Sequence, residues 1–150
     1  MKKKKTVKTE RLGGFKNQTR MLKKFEKLMK PIITHRDGGR CQIEGYRHDC
    51  NTPLVVDHRP FKRGKHSTFL DPRNLTTVCS NANMLAELDP LISRIIIEVV
   101  KNREGANVIK ELEILSKKTK KWSHDECLRW ILECHNHFQK NKNGKPEISQ

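Results

Sequence analysis

The chain has 150 residues, a formal net charge of +15, and hydrophobic and charged fractions of 34% and 33%. This length suits one compact domain with a small core rather than two domains. The most apolar stretch, 91–100, contains Arg94 and Glu98, so we expect no membrane partner, and the charge points instead to nucleic acid, whose repeated phosphates release counterions on binding.

The positive charge is concentrated at the N-terminus, where residues 1–30 contain 12 Lys or Arg and two Glu. We expect residues 1–12 to be a basic disordered arm that keeps the protein soluble, clamps phosphates, or does both. No apolar segment typical of a secretory signal follows the Lys2–Lys5 run. We therefore expect a cytoplasmic protein (in the host cytoplasm if it is encoded by a phage), whose five cysteines are thiols or metal ligands.

Apolar side chains at helical spacing predict a first helix from about residue 15 to residue 29. Its apolar side comprises Phe15, Met21 or Leu22, Phe25, Leu28 and Met29. Pro31 is expected to end this helix, because proline has no amide hydrogen and disfavours helical geometry in the residue before it. The Asp37-Gly38-Gly39 sequence that follows predicts a tight turn.

The middle of the chain predicts a strand, a loop, a strand and a helix, in that order. Leu54–Asp57 and Leu75–Val78 are short segments rich in β-branched residues, as is typical of strands. The basic segment 59–73 between them contains two prolines and a glycine, which oppose regular structure. Ser80 or Asn81 can cap the helix that follows the second strand.

Three helices are predicted after residue 88. Asp89 and Pro90 suit the cap and the first turn of one, whose apolar face comprises Leu91, Ile95 and Val99. A second spans about 106–116, and the last begins near residue 123. We expect this helical extension, 89–142, to pack on the core or to form a homodimer interface, with 143–150 as a tail.

The last helix carries its own start signal and its own apolar face. Ser123 followed by Glu126 predicts a capping box. One face is predicted to hold Leu128, Ile131, His135 and Phe138. Cys127 and Cys134 lie about 10 Å apart along the helix axis, too far to share a metal, and are expected to be packing residues.

One constellation has the residue types of phosphodiester hydrolysis. Asp57 and His58 stand side by side at the end of the first strand, and Asn83 lies in the first turn of the next helix. Carboxylate and amide oxygens can ligate a divalent ion that neutralises a scissile phosphate, and a neutral imidazole can accept a proton from water. Because neighbours in a regular strand point to opposite faces, Asp57 and His58 can share a site only if the strand ends or twists there.

Two basic segments could contact nucleic acid. The loop after the first strand offers side chains suited to backbone phosphates. These candidates are Arg59, Lys62, Arg63, Lys65 and His66. A second cluster, Lys117–Lys121, is either a solvated face or a second DNA contact.

Several spaced motifs resemble the HNH endonuclease family over roughly residues 32–88. Residues 36–43, RDGGRCQI, are similar to the opening motif of that family. Asp57-His58, Asn74-Leu75 and Asn83 match its three signature positions in order, and the interval 74–83 follows its NLxxLCxxCN pattern. Several motifs in the right order make the resemblance more specific than any one of them.

This resemblance implies a ββα-metal HNH finger. With the N-terminal helix and the C-terminal helical extension predicted from apolar spacing, the expected fold is α+β and mostly helical. The nuclease core with its leading helix would span 13–88. Asp57 and Asn83 would hold one Mg²⁺ or Mn²⁺ per active site, His58 would be the general base, and Asn74 would fix the loop that aims His58. The implied function is a metal-dependent DNA endonuclease or nickase that contacts mainly the DNA backbone.

Many HNH proteins also carry two CxxC pairs that hold a structural zinc ion, and this chain departs from that pattern. Glu44 and Ala82 occupy the positions of the second cysteines. The remaining candidate zinc ligands, with unorthodox spacing, are Cys41, His48, Cys50 and Cys79. We therefore do not expect structural zinc, and interpret Cys41 and Cys79 as small buried hydrophobic residues.

Two other functions stay open on the sequence. One is a nucleic-acid-binding module that has kept the finger and lost catalysis. The other is a structural role in an assembly complex, where the basic charge meets an acidic partner. Salt-sensitive DNA binding would argue against the second.

Overall fold

The structure is a computed structural model that describes residues 15–143, with side chains described from residue 17 to residue 141. The expected arm at 1–12 and residues 144–150 of the expected tail lie outside the described residues. Over the described part the fold is α+β and mostly helical, as predicted. No helix among residues 15–143 is long and apolar enough to cross a bilayer.

Helix α1 (Phe15–Arg36) continues through Pro31, so the predicted end of this helix is wrong. A proline inside a helix costs about 3 kcal/mol. Ile32 and Ile33, which follow it, are both buried in the core, and each such burial contributes about 1.5–3 kcal/mol. Their burial therefore offsets the hydrogen bond that Pro31 cannot donate. Leu28, predicted on the apolar side, is half exposed.

Two strands form an antiparallel hairpin, and a helix follows the second one directly. Strands β1 (Leu54–His58) and β2 (Leu75–Cys79) pair with His58 opposite Leu75. Helix α2 (Ser80–Leu88) is capped by Cys79, whose Sγ accepts from the Ala82 N–H at 3.3 Å. The predicted caps, Ser80 and Asn81, are instead already helical, because the strand runs without a loop into the helix.

Helix α3 (Pro90–Glu104) begins where the sequence predicts. The side chain of Asp89 accepts from the Leu91 N–H at 2.8 Å, and Pro90 occupies the first turn. The predicted apolar face is displaced by one residue, because Ile92, Ile96 and Val100 are the buried positions. Leu91 is 43% exposed, whereas Ile95 and Val99 are half-buried beside the core.

Helices α4 (Val108–Ser116) and α5 (His124–Asn143) complete the fold. The predicted capping box of α5 is present, since Ser123 N–H donates to Glu126 and Glu126 N–H donates to the Ser123 hydroxyl, at 2.9 and 3.2 Å. The buried positions on α5 are Cys127, Ile131 and Cys134. The two cysteines are thus packing residues, as predicted, whereas His135, predicted on the same face as Ile131, is exposed.

The core consists of two main clusters that meet at the hairpin. The first joins α1, α5, the hairpin and the segment 69–70, and comprises Leu22, Phe25, Met29, Ile32, Ile33, Val56, Phe69, Leu70, Leu75, Cys127, Ile131 and Cys134. The second joins α2, α3 and the hairpin, and comprises Cys41, Ile43, Val78, Cys79, Ala82, Ala86, Ile92 and Ile96. The C-terminal helices therefore pack on the core. Their alternative use as a homodimer interface stays a prediction.

The RDGGRCQI segment ties the end of α1 to the edge of β2. The Asp37 carboxylate accepts two hydrogen bonds from the Arg36 guanidinium and one from the Thr77 N–H, at 2.7, 3.0 and 2.8 Å. The same guanidinium donates to the carbonyl of Leu75 at 2.7 Å. Gly38 has a φ of +74°, a conformation that favours glycine. This motif is thus a structural brace for the hairpin.

Candidate active site and candidate metal centre

The three residues proposed for catalysis line one pocket of about 190 Å³ at the end of β1. Asp57 and His58 come from the strand, and Asn83 comes from the first turn of α2. The pocket also contains Lys62 and Glu87. Asp57 and His58 both reach this pocket although they are consecutive in the strand. Their side chains are therefore not separated onto opposite faces, as they would be in the middle of a regular strand.

Asp57 is a buried carboxylate that lacks a full set of partners. Its side chain is 3% exposed, and its Oδ2 atom has no hydrogen-bond partner among the described residues. The Nε of Arg59 lies 3.3 Å from this oxygen, close enough for an ion pair, but it is not aligned to donate. Burial raises the pKa of Asp57 to about 6, although the Arg59 charge opposes the shift. An unsatisfied carboxylate oxygen in a pocket is suited to bind a cation.

His58 is buried and held in one tautomer. Its Nε2 lies 3.1 Å from the carbonyl oxygen of Phe69. Because a carbonyl can only accept, Nε2 carries the proton and Nδ1 is left as the basic nitrogen. Burial, with a smaller effect of the Arg63 charge, lowers the pKa of His58 to about 3. The imidazole is therefore neutral near pH 7, as a general base requires.

Asn74 lies at the end of the loop between the two strands and does not line the pocket. It is fully buried in a short 3-10 helix (Pro72–Asn74) that precedes β2. Its Oδ1 accepts from the Phe61 N–H at 2.9 Å, and its Nδ2 donates to the carbonyls of Phe61 and Thr68 at 2.6 and 3.3 Å. Asn74 thus ties together the two ends of the loop whose Phe69 carbonyl holds His58.

The five basic residues proposed for DNA contact differ in exposure. Lys62, Arg63 and Lys65 are exposed, and His66 is half-buried. Arg59 is only 4% exposed, because its guanidinium lies between two carboxylates, 2.8 Å from Glu87 and 3.3 Å from Asp57. Its place is therefore inside the site, where it balances charge, rather than on the surface where DNA would lie.

Glu87 is a further residue of the pocket, and no motif in the sequence assigns it a role. It lies one helical turn after Asn83 on α2, so both side chains project from the same face of the helix. It pairs with Arg59 and Lys62, and the hydrogen bond from Lys62 lowers its pKa. The i to i+4 spacing from Asn83 is the signal in the sequence that could have assigned it to the pocket.

A second potential site lies at the junction of β2, α2 and the segment 41–50. The ligand atoms of Cys41, His48, Cys50 and Cys79 all lie within 4.8 Å of one another. His48 Nε2 is 2.9 Å from the Cys50 Sγ and 3.7 Å from the Cys41 Sγ. Ligands of a tetrahedral zinc ion lie roughly 3.5–3.8 Å apart, so only small shifts separate this cluster from a Cys₃His site.

The loop before Cys50 explains how the unorthodox spacing converges. Gly45 and Arg47 both adopt positive φ values, +88° and +47°, and so turn the chain back toward Cys41. His48 Nδ1 lies 2.5 Å from the Tyr46 carbonyl oxygen, which places the proton on Nδ1 and leaves Nε2 free to face the thiols. A hydrogen bond to the second nitrogen is typical of metal-ligating histidines.

The thiols of this cluster have opposing pKa shifts. Burial, reinforced by Cys41, raises the pKa of Cys50 to about 12. Burial also raises the pKa of Cys79, but hydrogen bonds, first that from the Ala82 N–H, outweigh it and lower the pKa overall. The start of α2 thus lowers the pKa of Cys79, while a cation would be needed to hold the other thiols as thiolates.

Searches of protein-family models, of curated proteins and of solved structures each found no match to this chain. Any conclusion about function therefore depends on the residues and their geometry.

Proposed function

We propose that this protein is a metal-dependent DNA endonuclease or nickase of the HNH type. The observation that supports it best is the meeting of Asp57, His58 and Asn83 in one pocket. These residues come from two elements and combine oxygen ligands with a neutral imidazole. The strand–strand–helix order of β1, β2 and α2 is the order expected of a ββα-metal finger.

Asp57 and Asn83 would hold the divalent ion, Mg²⁺ or Mn²⁺, with Glu87 as a further oxygen donor in the same pocket. The fit is supported by the buried Oδ2 of Asp57, which has no hydrogen-bond partner among the described residues. When bound, such an ion neutralises charge on the scissile phosphate and on the leaving oxygen. Arg59 partly balances the charges of Asp57, which is buried, and of Glu87, which is exposed, in the absence of the ion.

His58 accepts a proton at Nδ1 from the attacking water. Its hydrogen bond to the Phe69 carbonyl keeps the second ring nitrogen protonated and fixes the ring. Asn74 is a positioning residue, since it holds both ends of the loop that carries Phe69. Hydrolysis then breaks the phosphodiester bond, and the leaving oxygen takes up a proton from solvent.

The exposed side chains of Lys62, Arg63 and Lys65 would bind backbone phosphates beside the pocket. Lys62 and Arg63 pair with Glu87 and Glu26, and exposed pairs of this kind are weak enough to exchange for phosphate. A net charge of +15 adds long-range attraction for DNA.

We also propose that Cys41, His48, Cys50 and Cys79 bind a structural zinc ion. The sequence argues against zinc because two CxxC cysteines are missing, but the four side chains converge regardless of that spacing. A closed set of four N and S ligands is typical of a structural site rather than a catalytic one. Zinc there would fix α2 relative to β2, and hence Asn83 relative to Asp57.

A plasmid-nicking assay tests the enzymatic function. The wild-type protein and the His58→Ala and His135→Ala variants are incubated with supercoiled DNA and Mg²⁺, Mn²⁺ or EDTA. Nicking by the wild type and by His135→Ala, which changes an exposed histidine on α5, is expected only with Mg²⁺ or Mn²⁺. His58→Ala should be inactive. Salt-sensitive DNA binding without cleavage in any metal would instead support the non-cleaving binding module.

A further inference from the structure

A second pocket of about 360 Å³ lies between the 59–74 loop and the link from α4 to α5. The two tryptophans of the chain, Trp122 and Trp130, both line it. Lys118, Lys120, Arg73 and Asp71 line it as well, with Arg73 paired to Asp71. Half-buried aromatic rings beside basic side chains are the combination that proteins use to bind unpaired nucleotides.

Packing explains only part of this arrangement. The indole N–H groups of Trp122 and Trp130 donate to the carbonyls of His66 and Leu70, at 2.9 and 2.8 Å, and so anchor the α4–α5 link and α5 to the loop. These bonds use one edge of each ring and leave both side chains half-buried at the pocket. The Lys120 ammonium lies 4.7 Å from the Trp122 ring centre, so a cation is already held at the aromatic surface.

The link itself has surplus positive charge. Among the described side chains, Lys117 pairs with Glu113, and Lys120 lies 3.5 Å from Glu126. Lys118 and Lys121 have no ion-pair partner among residues 17–141 and are exposed. Lys118 lines the pocket and Lys121 directly precedes Trp122 in the chain. These two unpaired lysines are suited to bind the phosphates next to a bound base.

The same loop connects this pocket to the candidate active site. The Phe69 carbonyl accepts from His58, and the next carbonyl, that of Leu70, accepts from Trp130. The loop also supplies Lys62 to the active-site pocket and Arg73 to the second pocket. One loop therefore contributes residues to both pockets.

We propose that the Trp122–Trp130 pocket binds an unpaired nucleobase of the DNA substrate, so that the protein prefers DNA with single-stranded or branched segments. The proposal rests on the proposed nuclease function for its substrate class, DNA. Base pairing in a duplex covers the faces of the bases, whereas an unpaired base can enter a pocket and stack on an indole.

Intrinsic fluorescence tests this directly, because both tryptophans lie in the pocket. The wild-type protein, without added Mg²⁺ or Mn²⁺, is titrated with a 12-nucleotide oligo-dT, an abasic oligonucleotide of the same length and a 12-base-pair duplex. Oligo-dT is expected to quench the emission and to bind roughly 5- to 100-fold more tightly than the abasic strand. Equal affinities with no quenching by oligo-dT would overturn the proposal.

Exposed lysines provide variants that should leave the fold intact. Lys118→Gln combined with Lys121→Gln is expected to weaken oligo-dT binding, whereas Lys110→Gln, on an exposed position of α4, should have a smaller effect. Quenching without any cleavage in Mg²⁺ or Mn²⁺ would support the pocket and contradict the nuclease. Cleavage of paired and branched DNA at equal rates, without quenching, would contradict the pocket alone.

Discussion

The Nε2–H of His58 donates to the carbonyl oxygen of Phe69 at 3.1 Å, across the loop that joins the two strands of the hairpin. This one bond selects the tautomer with a basic Nδ1 and orients the ring in the pocket. It also makes the orientation of His58 depend on loop residues 59–74, whose conformation is fixed by Asn74 and by packing against α5. The residues that orient the imidazole therefore lie outside the pocket.

Replacing Asp57 by Asn should stabilise the metal-free protein while removing cleavage. The pKa of Asp57 rises from 3.8 to about 6 on folding, so the folded state holds the proton more tightly than the unfolded state. The resulting penalty grows as pH rises from about 4 to 6 and is complete above that range. Asp57→Asn should then gain up to about 3 kcal/mol of unfolding free energy at pH 7.5 and nothing at pH 4.

Urea unfolding at these two pH values, in chelator-treated and zinc-reloaded protein, measures the effect. Glu133→Gln, which changes an exposed carboxylate of α5 without an ion-pair partner among residues 17–141, controls for the loss of one carboxylate. A variant that is less stable than wild type at pH 7.5 would mean that Arg59 already satisfies the Asp57 charge.

Replacing Asn74 by Ala should slow cleavage more than it weakens DNA binding. The change leaves the half-buried Phe61 N–H without its side-chain acceptor and releases two carbonyls, which should cost about 2–4 kcal/mol of stability. Assayed well below the melting temperature, Asn74→Ala should reduce kcat at least about tenfold, because the loop no longer holds His58. Equal losses in kcat and DNA affinity, or none relative to Asn51→Ala, would refute a positioning role.

The purified protein should contain one zinc ion per chain, held by the Cys41–His48–Cys50–Cys79 cluster. Cys50→Ala should lose the ion and melt at a lower temperature, because bound zinc contributes its binding free energy to the folded state. Cys134→Ala is the matched control, since Cys134 is a buried cysteine of α5 outside the cluster. Elemental analysis gives the stoichiometry, and equal zinc contents of the two variants would exclude the site.

DNA affinity should fall steeply with salt, and the exposed loop lysines should account for part of the slope. Removing one phosphate contact reduces the slope of log K against log salt by about one. Lys65→Gln should therefore flatten the slope by about that amount, whereas Arg59→Gln should not, because Arg59 is buried between carboxylates. Fluorescence anisotropy with a labelled duplex at several salt concentrations measures the slope for each variant. A larger change in slope for Arg59→Gln than for Lys65→Gln would contradict the placement of Lys65, rather than Arg59, at the DNA.

Local signals in the sequence predicted the local structure well. The caps at Asp89 and Ser123 act within three residues of themselves, so their geometry follows from the chain alone. The end of α1 was mispredicted, because the cost of Pro31 is local whereas the burial of Ile32 and Ile33 depends on the rest of the fold. The buried face of α3 differs from the predicted one by one residue because burial there also depends on the rest of the fold. The neighbouring helices determine which line of apolar side chains faces the core.

The candidate sites also differ in how much of their geometry follows from the local sequence. The grouping of Asp57, His58 and Asn83 follows a motif whose spacing is fixed by two short strands and a helix. The Cys/His cluster did not follow from spacing, because the turn at Gly45 and Arg47 brings His48 and Cys50 to Cys41 through backbone conformation. Arg59 looked like a surface cation in the sequence, and only the approach of Glu87 shows why it is buried.

In the proposed mechanism, Asp57 and Asn83 hold a divalent ion while His58 acts on water beside it. Measuring Mn²⁺ affinity and single-turnover DNA cleavage in the same zinc-loaded variants tests it most directly. His58→Ala should bind Mn²⁺ within about threefold of wild type yet cleave at least about 100-fold more slowly, and Asp57→Asn should lose both properties. Cleavage at the wild-type rate by either variant, or in the presence of excess EDTA, would rule out this mechanism.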